Sequence, residues 1–323
     1  MECVRKLSAS ASASSSSAAV DSGNHEEGKR ESSSLDGEAA VAADEAAVSL
    51  SDLSDRLTLE NIRTALIRQE DTIIFSLIER SQFRRNEAIY EAGSVSVPCY
   101  DVKTGSMKSL LEFALRETEQ FHGKLRRYTS PDEHSFFPSQ LPPLMLEPLK
   151  FPAVLMPWIN INMNEVIYEE YIAKILPAVT QSGTDNNFGS TVITDVQCLQ
   201  SLSKRTHMGM FVAEAKFRSN RELYTRLIEN NDRQAIMESL TDAAVEQRVA
   251  KRVRNKAATY GQNVEDVLPD LSVQDIAGGD FKVSPESVAD LYVNWLMPLT
   301  KFVQVEYFMQ RLDEDDSQYD LQI

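Results

Sequence analysis

The stretch from Ser190 to Arg218 constrains the fold of this chain most strongly, because it is long, rich in helix-forming residues and free of proline. Two of its long cations, Arg205 and Lys216, interrupt mostly apolar sequence. Eleven residues complete about three helical turns, so both side chains point to the same face, about 16 Å apart along the axis. A buried cation costs several kcal/mol unless an anion pairs with it. These two cations therefore require carboxylates from elsewhere in the chain, or an anionic ligand.

The chain beyond residue 55 follows the helical period throughout, and alternating strand patterns are essentially absent. Segment 58–83 places its apolar residues on one face after a capping Thr58, and segment 107–128 follows a capping Ser106. We predict an all-α fold, a single large helical domain that spans residues 56–323 with about a dozen helices. The other predicted helices are 164–179, 190–218, 221–229, 232–261 and 284–313.

Residues 1–55 have a different composition, with 11 acidic and 4 basic side chains. The first twenty residues are rich in Ser and Ala and contain one acid, Glu2. A Ser-rich, acid-poor start is typical of organelle transit peptides, whereas few arginines and an acidic continuation are typical of a disordered linker. We expect a disordered extension with a plastid transit peptide, and thus a chloroplast protein. A plain disordered tail on a cytosolic protein is the alternative.

Charge and composition argue against several classes of function. The formal net charge of −16 repels phosphate backbones, which makes nucleic acid a poor partner. No run of 18 apolar residues occurs, so we expect no membrane span. Three cysteines and four histidines are scattered without the spacing of a disulfide framework or a zinc site. A small anionic ligand would need a local cationic pocket that opposes the global field.

Other polar residues interrupt apolar helical stripes as the two cations do. Arg63 lies at the edge of the buried face of the first helix. Asp242 and Glu246 are four residues apart, as are Thr300 and Gln304, so each pair shares a helical face. With the two cations of the long stretch, these residues would form a polar pocket walled by four helices. Hydrogen-bond donors dominate it, which suits a substrate with two carboxylates and further oxygens.

Each of these residues also has an ordinary structural explanation. A single arginine such as Arg63 commonly forms a surface ion pair. The face that carries Asp242 and Glu246 lies beside several basic residues, which is typical of a solvated face. Thr300 and Gln304 are consistent with ordinary, partly buried helix residues. Spacing alone supports an α-helical protein with an anion pocket, and it does not establish catalysis.

The chain resembles the eukaryotic, all-helical chorismate mutases of plants and fungi in four segments: NIRTALIRQEDTIIFSLIERSQF, HGKLRRYTSPDEHSFFP, NNFGSTVITDVQCLQSLSKRTHMGMFVAEAKF and MPLTKFVQVEYFMQRLD. The resemblance runs in the same order through most of residues 57–312, and Gln304 within VQVEY resembles the plant branch. It implies a homodimeric enzyme that converts chorismate to prephenate in phenylalanine and tyrosine biosynthesis. That intramolecular Claisen rearrangement requires no nucleophile, metal or cofactor.

The resemblance also implies a role for each polar residue of the pocket. Arg63 and Arg205 would bind the two substrate carboxylates with help from Thr300, Lys216 and Gln304 would donate to the ether oxygen, and Glu246 would accept from the ring hydroxyl.

Two positions depart from the fungal pattern. Gln304 stands where fungal relatives have Glu, and an amide donates at any pH whereas a carboxyl must be protonated to donate. We therefore expect activity that stays high at neutral pH. Asp242 stands where fungal members have Asn, and we assign it no firm role.

Regulated members of this family are activated by tryptophan and inhibited by tyrosine, in plants also by phenylalanine, at a dimer-interface site. Ser190 opening a helix would offer free N–H groups and a dipole to an effector carboxylate. Alternatively, Ser190 is merely an N-cap and the two arginines of KLRRYTSPDE merely complement a helix C-terminus. Because the whole matching set is present, we expect a working effector site, formed by Arg126, Arg127, Asn186, Asn187, Gly189 and Ser190.

Two rival classes remain. A metal-dependent prenyl-type synthase would need an Asp-rich motif inside a helix that faces a cavity. The Asp cluster DEDDS at 313–317 lies at the end of the last helix instead. A non-catalytic helical scaffold is the second rival, and it would keep its function after replacement of Arg205 or Lys216.

Overall fold

The computed structural model describes residues 59–97, 108–149, 154–262 and 281–313. Across these ranges the one β pairing is an isolated bridge between Gln262 and Phe281, so the predicted all-α class is confirmed. Thr58, Ser106 and the predicted extension 1–55 lie outside the described residues, and the domain division stays a prediction. The α-helices are α1 Leu59–Ser81, α2 Leu110–Lys124, α3 Asn164–Glu170, α4 Leu176–Val179, α5 Phe188–Ser219, α6 Arg221–Glu229, α7 Arg233–Leu240, α8 Ala243–Tyr260, α9 Pro285–Leu291 and α10 Met297–Gln310.

Helix α5 is the central element of the fold. It has 32 residues and is therefore about 48 Å long at 1.5 Å per residue. Buried residues occur all around its circumference, which is typical of a helix inside a core rather than on a surface. It packs lengthwise against α1 and α10. The predicted helix 190–218 is confirmed, and the observed helix is slightly longer at both ends.

Side chains in the adjoining loops define both ends of α5. At its start, Asp185 Oδ1 accepts a hydrogen bond from the amide of Asn187, the N-cap residue, at 2.9 Å. At its end, Asn220 leaves the helical conformation, and its side chain accepts from the amide of Leu223 in the first turn of α6. One asparagine thus ends α5 and caps the next helix.

Gly209 allows α5 and α10 to approach closely. A Cβ atom at this position would lie 2.8 Å from the Thr300 carbonyl oxygen and 3.2 Å from Val303. Such a contact with backbone is too short, so any larger residue would push the two helices apart. Arg205 lies one helical turn before Gly209, and the close approach brings its side chain to α10.

The predicted single helix 232–261 is wrong, because the structure divides it into α7 and α8. Thr241 has an extended backbone, and Asp242 is the N-cap of α8. The Asp242 carboxylate accepts from the amides of Ala244 and Val245 at 3.0 and 3.1 Å. Aspartate satisfies a helix N-terminus better than it continues a helix, and this preference explains the break.

The predicted helices 164–179 and 284–313 each contain a π-helical turn, at Tyr171–Ile175 and Tyr292–Leu296. A proline follows two residues after each turn, Pro177 in the first case and Pro298 in the second. Proline has no N–H and its ring displaces the carbonyl four residues earlier, so the chain widens there. The second widened turn leads directly into α10, which carries Thr300 and Gln304.

Candidate active site

Arg205 lies near the middle of α5 and is almost fully buried, with 7% of its surface exposed. Its Nη1 donates to Thr300 Oγ1 at 3.2 Å, while its Nε has no hydrogen-bond partner within the described ranges. Burial lowers the pKa of the guanidinium, and nearby Tyr292 and Glu70 offset part of that shift. Arginine stays charged in proteins. Arg205 is therefore a buried cation to which no described carboxylate is paired.

Lys216 is the second cation of α5, and it is half-buried. Burial lowers the pKa of its ammonium, the positive charge of Arg63 lowers it further, and Asp242 opposes both. Its Nζ makes no hydrogen bond or ion pair with any residue that the structure describes. An anionic ligand placed here would supply the missing counter-charge to Lys216 and to Arg205 together.

Both cations line one cavity of about 490 Å³, which lies between α1, α5, α8 and α10. This volume is in the range of about 300–1,000 Å³ that is usual for small-molecule sites. Ile62 and Met208 belong to the apolar cluster that packs α1 against α5 beside it. The cavity wall contains every catalytic candidate from the sequence: Arg63, Arg205, Lys216, Glu246, Thr300 and Gln304.

Basic residues outnumber acidic residues on this wall. Arg252 makes two bonds to Glu70, at 2.8 and 2.6 Å, and Lys301 contacts Glu246 at 2.9 Å. These pairs neutralise two of the acids, and the cavity as a whole remains positive in a chain of net charge −16. The charged wall residues are Arg63, Arg205, Lys216, Arg248, Arg252 and Lys301 against Glu70, Asp242 and Glu246.

Helix α10 presents two polar side chains to the cavity. Thr300 Oγ1 donates to the Leu296 carbonyl at 2.7 Å and accepts from Arg205, so its hydroxyl is fixed in orientation. Gln304 is 6% exposed, and its Nε2 donates one hydrogen bond to the Thr300 carbonyl at 3.2 Å. An amide nitrogen carries two protons. The second proton of Gln304 can therefore bond to a ligand.

The break between α7 and α8 places two carboxylates at the cavity in different ways. Asp242 is the cap of α8, and its carboxylate is engaged with backbone amides. Glu246 lies in the first turn of α8, where Lys301 of α10 holds it. The two acids do not lie on one continuous helical face, as the sequence interpretation had it. The structure gives Asp242 a capping function, for which the sequence had suggested none.

Four charged residues of the cavity wall escaped the sequence analysis: Glu70, Arg248, Arg252 and Lys301. The helical period contains a signal for one of them. Glu70 lies seven residues after Arg63, on the same face of α1. Arg248 and Arg252 come two and six residues after Glu246, roughly 200–240° around α8, so extending the stripe of Asp242 and Glu246 does not reach them.

Comparison with known proteins decides the family. The model of the family "Chorismate mutase type II" matches residues 189–305. Chorismate mutase 1, chloroplastic, of Petunia hybrida is 45% identical over 265 residues, which cover 81% of this chain and 78% of that protein. The chain belongs to the chorismate mutase family.

Solved structures of chorismate mutases have the same fold. Aro7p of Candida albicans, in complex with L-Trp, superposes with a TM-score of 0.72 at 41% identity, covering 82% of this chain and 95% of that one. AtCM1 with phenylalanine bound in its allosteric site gives a TM-score of 0.69 at 45% identity, covering 81% and 100%. AtCM1 has also been solved with tyrosine in that site.

The first group of predicted effector residues of this chorismate mutase lies just after α2. Arg126 adopts a left-handed backbone with φ 60°, and its Nη1 donates to the Glu147 carbonyl. Arg127 binds Glu133 at 3.0 Å and the side-chain oxygen of Gln200 at 2.9 Å. Both guanidinium groups are thus already bonded within the chain.

The second group surrounds the start of α5. Asn186 has a left-handed backbone with φ 62°, and Asn187 is the N-cap. The prediction that Ser190 opens the helix is wrong, because α5 begins at Phe188 and places Ser190 in its first turn. Gly189 is exposed, with open space where a Cβ would be.

The two groups of effector residues are separated along α5. Arg127 contacts Gln200, ten residues or about 15 Å along the axis from Ser190. Among the contacts of the described residues, none joins the two groups. One chain therefore does not assemble the predicted effector site from both.

A metal centre and a membrane span are both absent from the described ranges. No group of three His, Cys, Asp or Glu side chains there could hold a metal ion. No helix in those ranges is long and apolar enough to cross a lipid bilayer.

Proposed function

We propose that this chain is an enzyme that converts chorismate to prephenate by an intramolecular Claisen rearrangement. One observation carries the proposal. Arg205 and Lys216, on one face of the central helix, line a cavity in which no described carboxylate pairs with them. The chain keeps two desolvated cations where a dianion would neutralise both, and its family membership identifies chorismate as that dianion.

Binding of the two substrate carboxylates is assigned to Arg63 and Arg205. A hydrogen bond to a charged group contributes about 1.5–3 kcal/mol. Thr300 lies 3.2 Å from the Arg205 guanidinium, so one carboxylate can contact both. Two anchors at separate points hold the substrate in the compact conformation in which the bond-forming carbons meet, which lowers the entropic part of the barrier.

Stabilisation of the transition state is assigned to Lys216 and Gln304. The rearrangement breaks a C–O bond while a C–C bond forms, and negative charge develops on the ether oxygen as the bond breaks. Both side chains line the cavity and can donate to one oxygen. Donors that are already in place for a charge that develops later accelerate the reaction rather than merely tighten binding.

Glu246 is assigned to the ring hydroxyl of the substrate. The ammonium of Lys301 holds its carboxylate at 2.9 Å, and a carboxylate held this way can accept a hydrogen bond from a hydroxyl. Lys301 also compensates part of the negative charge that Glu246 adds to a site for a dianion.

The test follows chorismate disappearance and prephenate formation by the purified full chain. Arg205→Ala should lower kcat/KM by about 10²-fold or more, as expected for loss of a buried charge-assisted contact. Arg226→Ala, an exposed cation of α6 outside the cavity, is the control and should leave turnover unchanged. A folded full chain without turnover would reject the enzyme and favour the scaffold alternative.

We also propose that the enzyme is a homodimer that tryptophan activates and that tyrosine and phenylalanine inhibit. Two observations support this. Relatives at 41–45% identity carry these amino acids in solved structures. The two groups of effector residues, around Arg127 and around Ser190, are apart in one chain, so a second copy would bring the complementary group.

Regulation and assembly are tested together. Sedimentation should give twice the mass of one chain, and turnover should rise with tryptophan and fall with tyrosine and with phenylalanine. Arg127→Ala should weaken both responses while leaving the basal rate unchanged. Turnover that ignores all three amino acids would retain the enzyme and reject the effector site.

We propose, finally, that the protein is plastidic. The Ser-rich, acid-poor first twenty residues and the chloroplastic relative from Petunia hybrida support this, whereas the fungal relative does not bear on it. A fusion of residues 1–55 to a fluorescent reporter tests the location. Cytosolic fluorescence would favour the alternative.

A further inference from the structure

Helix α8 carries a dense row of basic residues between positions 248 and 256. Three of them have acidic partners: Arg252 binds Glu70, Lys256 binds Asp71 at 2.7 Å, and Arg254 contacts Glu286 at 3.5 Å. The other two basic residues of the row have no ion pair with any described residue. Those two are Arg248 and Lys251, and both are exposed.

Arg248 joins the active-site cavity to the surface. It lines the cavity of the proposed active site, and it also lines a shallow groove along α8. Lys251 lines that groove and not the cavity. A substrate that moves along the groove into the cavity would meet Lys251 first, then Arg248, and then the buried cations of α5.

The charge of the whole protein makes such a path consequential. At low ionic strength the formal net charge of −16 repels a dianion at long range, so approach to the site is opposed unless positive charge lies near its mouth. Exposed charges act over about one Debye length, roughly 8 Å at physiological ionic strength. Exposed cations beside the mouth therefore act on the arriving substrate, whereas the distant acids are largely screened.

We propose that Arg248 and Lys251 form an entry rim that attracts the dianionic substrate to the cavity. The inference rests on the proposed function, because it takes the dianion from there. It gives these two residues a role in capture and not in the chemical step. The rim lowers KM through its electric field, and it makes no hydrogen bond that forms only in the transition state.

Charge reversal at the rim tests this inference in the full chain. At low ionic strength, Arg248→Glu and Lys251→Glu should each lower kcat/KM about three- to tenfold, with kcat changed less than twofold. The difference from wild type should shrink as salt is added and vanish near 1 M, where the Debye length is about 3 Å. Arg248→Gln and Lys251→Gln should show about half the effect on a logarithmic scale.

Arg254→Glu is the matched control, since it changes the net charge by the same amount on the same helix but outside the cavity and groove. It should leave kcat/KM and its salt dependence close to wild type. If Arg248→Glu behaves as Arg254→Glu does, the entry rim is rejected while the mutase remains. A loss of kcat that salt does not relieve would also reject it, in favour of direct contact. A wild type without turnover would instead reject the proposed function, and the rim with it.

Discussion

Helix α5 carries buried charges of two kinds, and the comparison separates structure from function. Asp195, near its start, is fully buried and is bonded by Arg80 at 2.5 Å, Tyr90 at 2.8 Å and Tyr171 at 2.6 Å. Arg205, ten residues later, is 7% exposed and has one hydroxyl partner. A buried charge in a folded protein is normally paired. We interpret the missing partner as the place that the proposed substrate would fill.

The other end of α5 repeats the structural arrangement. Glu214 is 1% exposed, and Arg311, Tyr307 and Arg218 bond its carboxylate at 2.7–2.8 Å. Lys216 is only two residues further along the helix, so it points to a different side. One helix thus holds paired charges toward the core and unpaired charges toward the cavity.

The largest expected effect is on stability, at the paired charges. Arg80→Ala leaves the Asp195 carboxylate buried without its cation, and we expect a loss of about 3–5 kcal/mol in the free energy of unfolding. Denaturation by urea measures it at fixed protein concentration, because assembly would otherwise contribute. Arg84→Ala, at an exposed neighbour, is the control. A loss below 1 kcal/mol would contradict the structural role of this pair.

The second effect is on activity, at an unpaired charge. Lys216→Ala removes a cation that no described carboxylate compensates, so we expect stability to be unchanged or slightly higher. The rate should fall by about 10²–10³ in kcat, as for the loss of one preorganised donor. Urea denaturation and steady-state kinetics of the same variant measure both quantities. A variant that is as active as wild type would contradict a catalytic role for Lys216. A variant that unfolds more easily by several kcal/mol would show that Lys216 is paired in the folded protein, as Asp195 and Glu214 are.

The paired and unpaired charges of α5 also show which properties of a charged residue can be predicted from the sequence alone. Helical periodicity identified Arg205 and Lys216 as neighbours on one face of a long helix, since that spacing is a local property. It could not tell them from Asp195 and Glu214, because their pairing also depends on Arg80, Tyr307 and Arg311, which lie more than 90 residues away in the chain. The Arg80–Asp195 distance in sequence is 115 residues, and nothing in the local pattern encodes it.

Local chemistry was also misjudged where two rules competed. The apolar spacing of residues 232–261 favoured one helix, whereas the capping preference of Asp242 broke it. The break places Glu246 in the first turn of α8, so the shape of the candidate site depends on a competition that periodicity does not resolve. The family resemblance supplied what spacing lacked, namely the substrate.

Glu119 of α2 is intermediate between the paired and the unpaired buried charges. Its carboxylate is 1% exposed and accepts from the amides of Phe136 and Phe137 at 2.7 and 3.0 Å. Burial raises the pKa of the Glu119 carboxyl to about 7, and the two amide bonds offset part of the rise. The partners are thus insufficient to hold the ionised form at its usual pKa.

Because the pKa of Glu119 is higher in the folded protein, its carboxyl keeps its proton at pH values at which the same carboxyl in the unfolded chain has lost it. The contribution of Glu119 to the free energy of unfolding is therefore fully present below pH 4.5 and is lost as the pH rises through about 7. We expect the free energy of unfolding to fall by about 2 kcal/mol between pH 5 and pH 7 on this account. Glu119→Gln should remove that part of the pH dependence, and an unchanged profile would show that the carboxyl titrates normally.

The smallest expected effect comes from placing a carboxylate beside the two unpaired cations of the cavity. Gln304→Glu places an acid among Arg205, Lys216 and Thr300, where pairing with the cations should leave the folded protein at least as stable. The ionised carboxylate cannot donate to the ether oxygen, and it competes with the substrate dianion for the same cations. At pH 7 we expect kcat/KM to fall about tenfold, which corresponds to about 1.4 kcal/mol. As the pH falls from 8 to 5, the protonated fraction of the carboxyl grows and can donate again, so kcat/KM of the variant should rise relative to that of wild type.

The wild type should stay active through neutral pH, since the Gln304 amide donates at any pH. Gln304→Leu is the control, because it removes the donor without adding a charge and should lower kcat/KM equally at both pH values. Steady-state rates of the three proteins between pH 5 and pH 8 measure this. If Gln304→Glu has the pH profile of wild type, or if wild type works only in acid, Gln304 is not the donor to the ether oxygen. The unpaired cations of the cavity, Arg205 and Lys216, would then contribute to substrate binding alone.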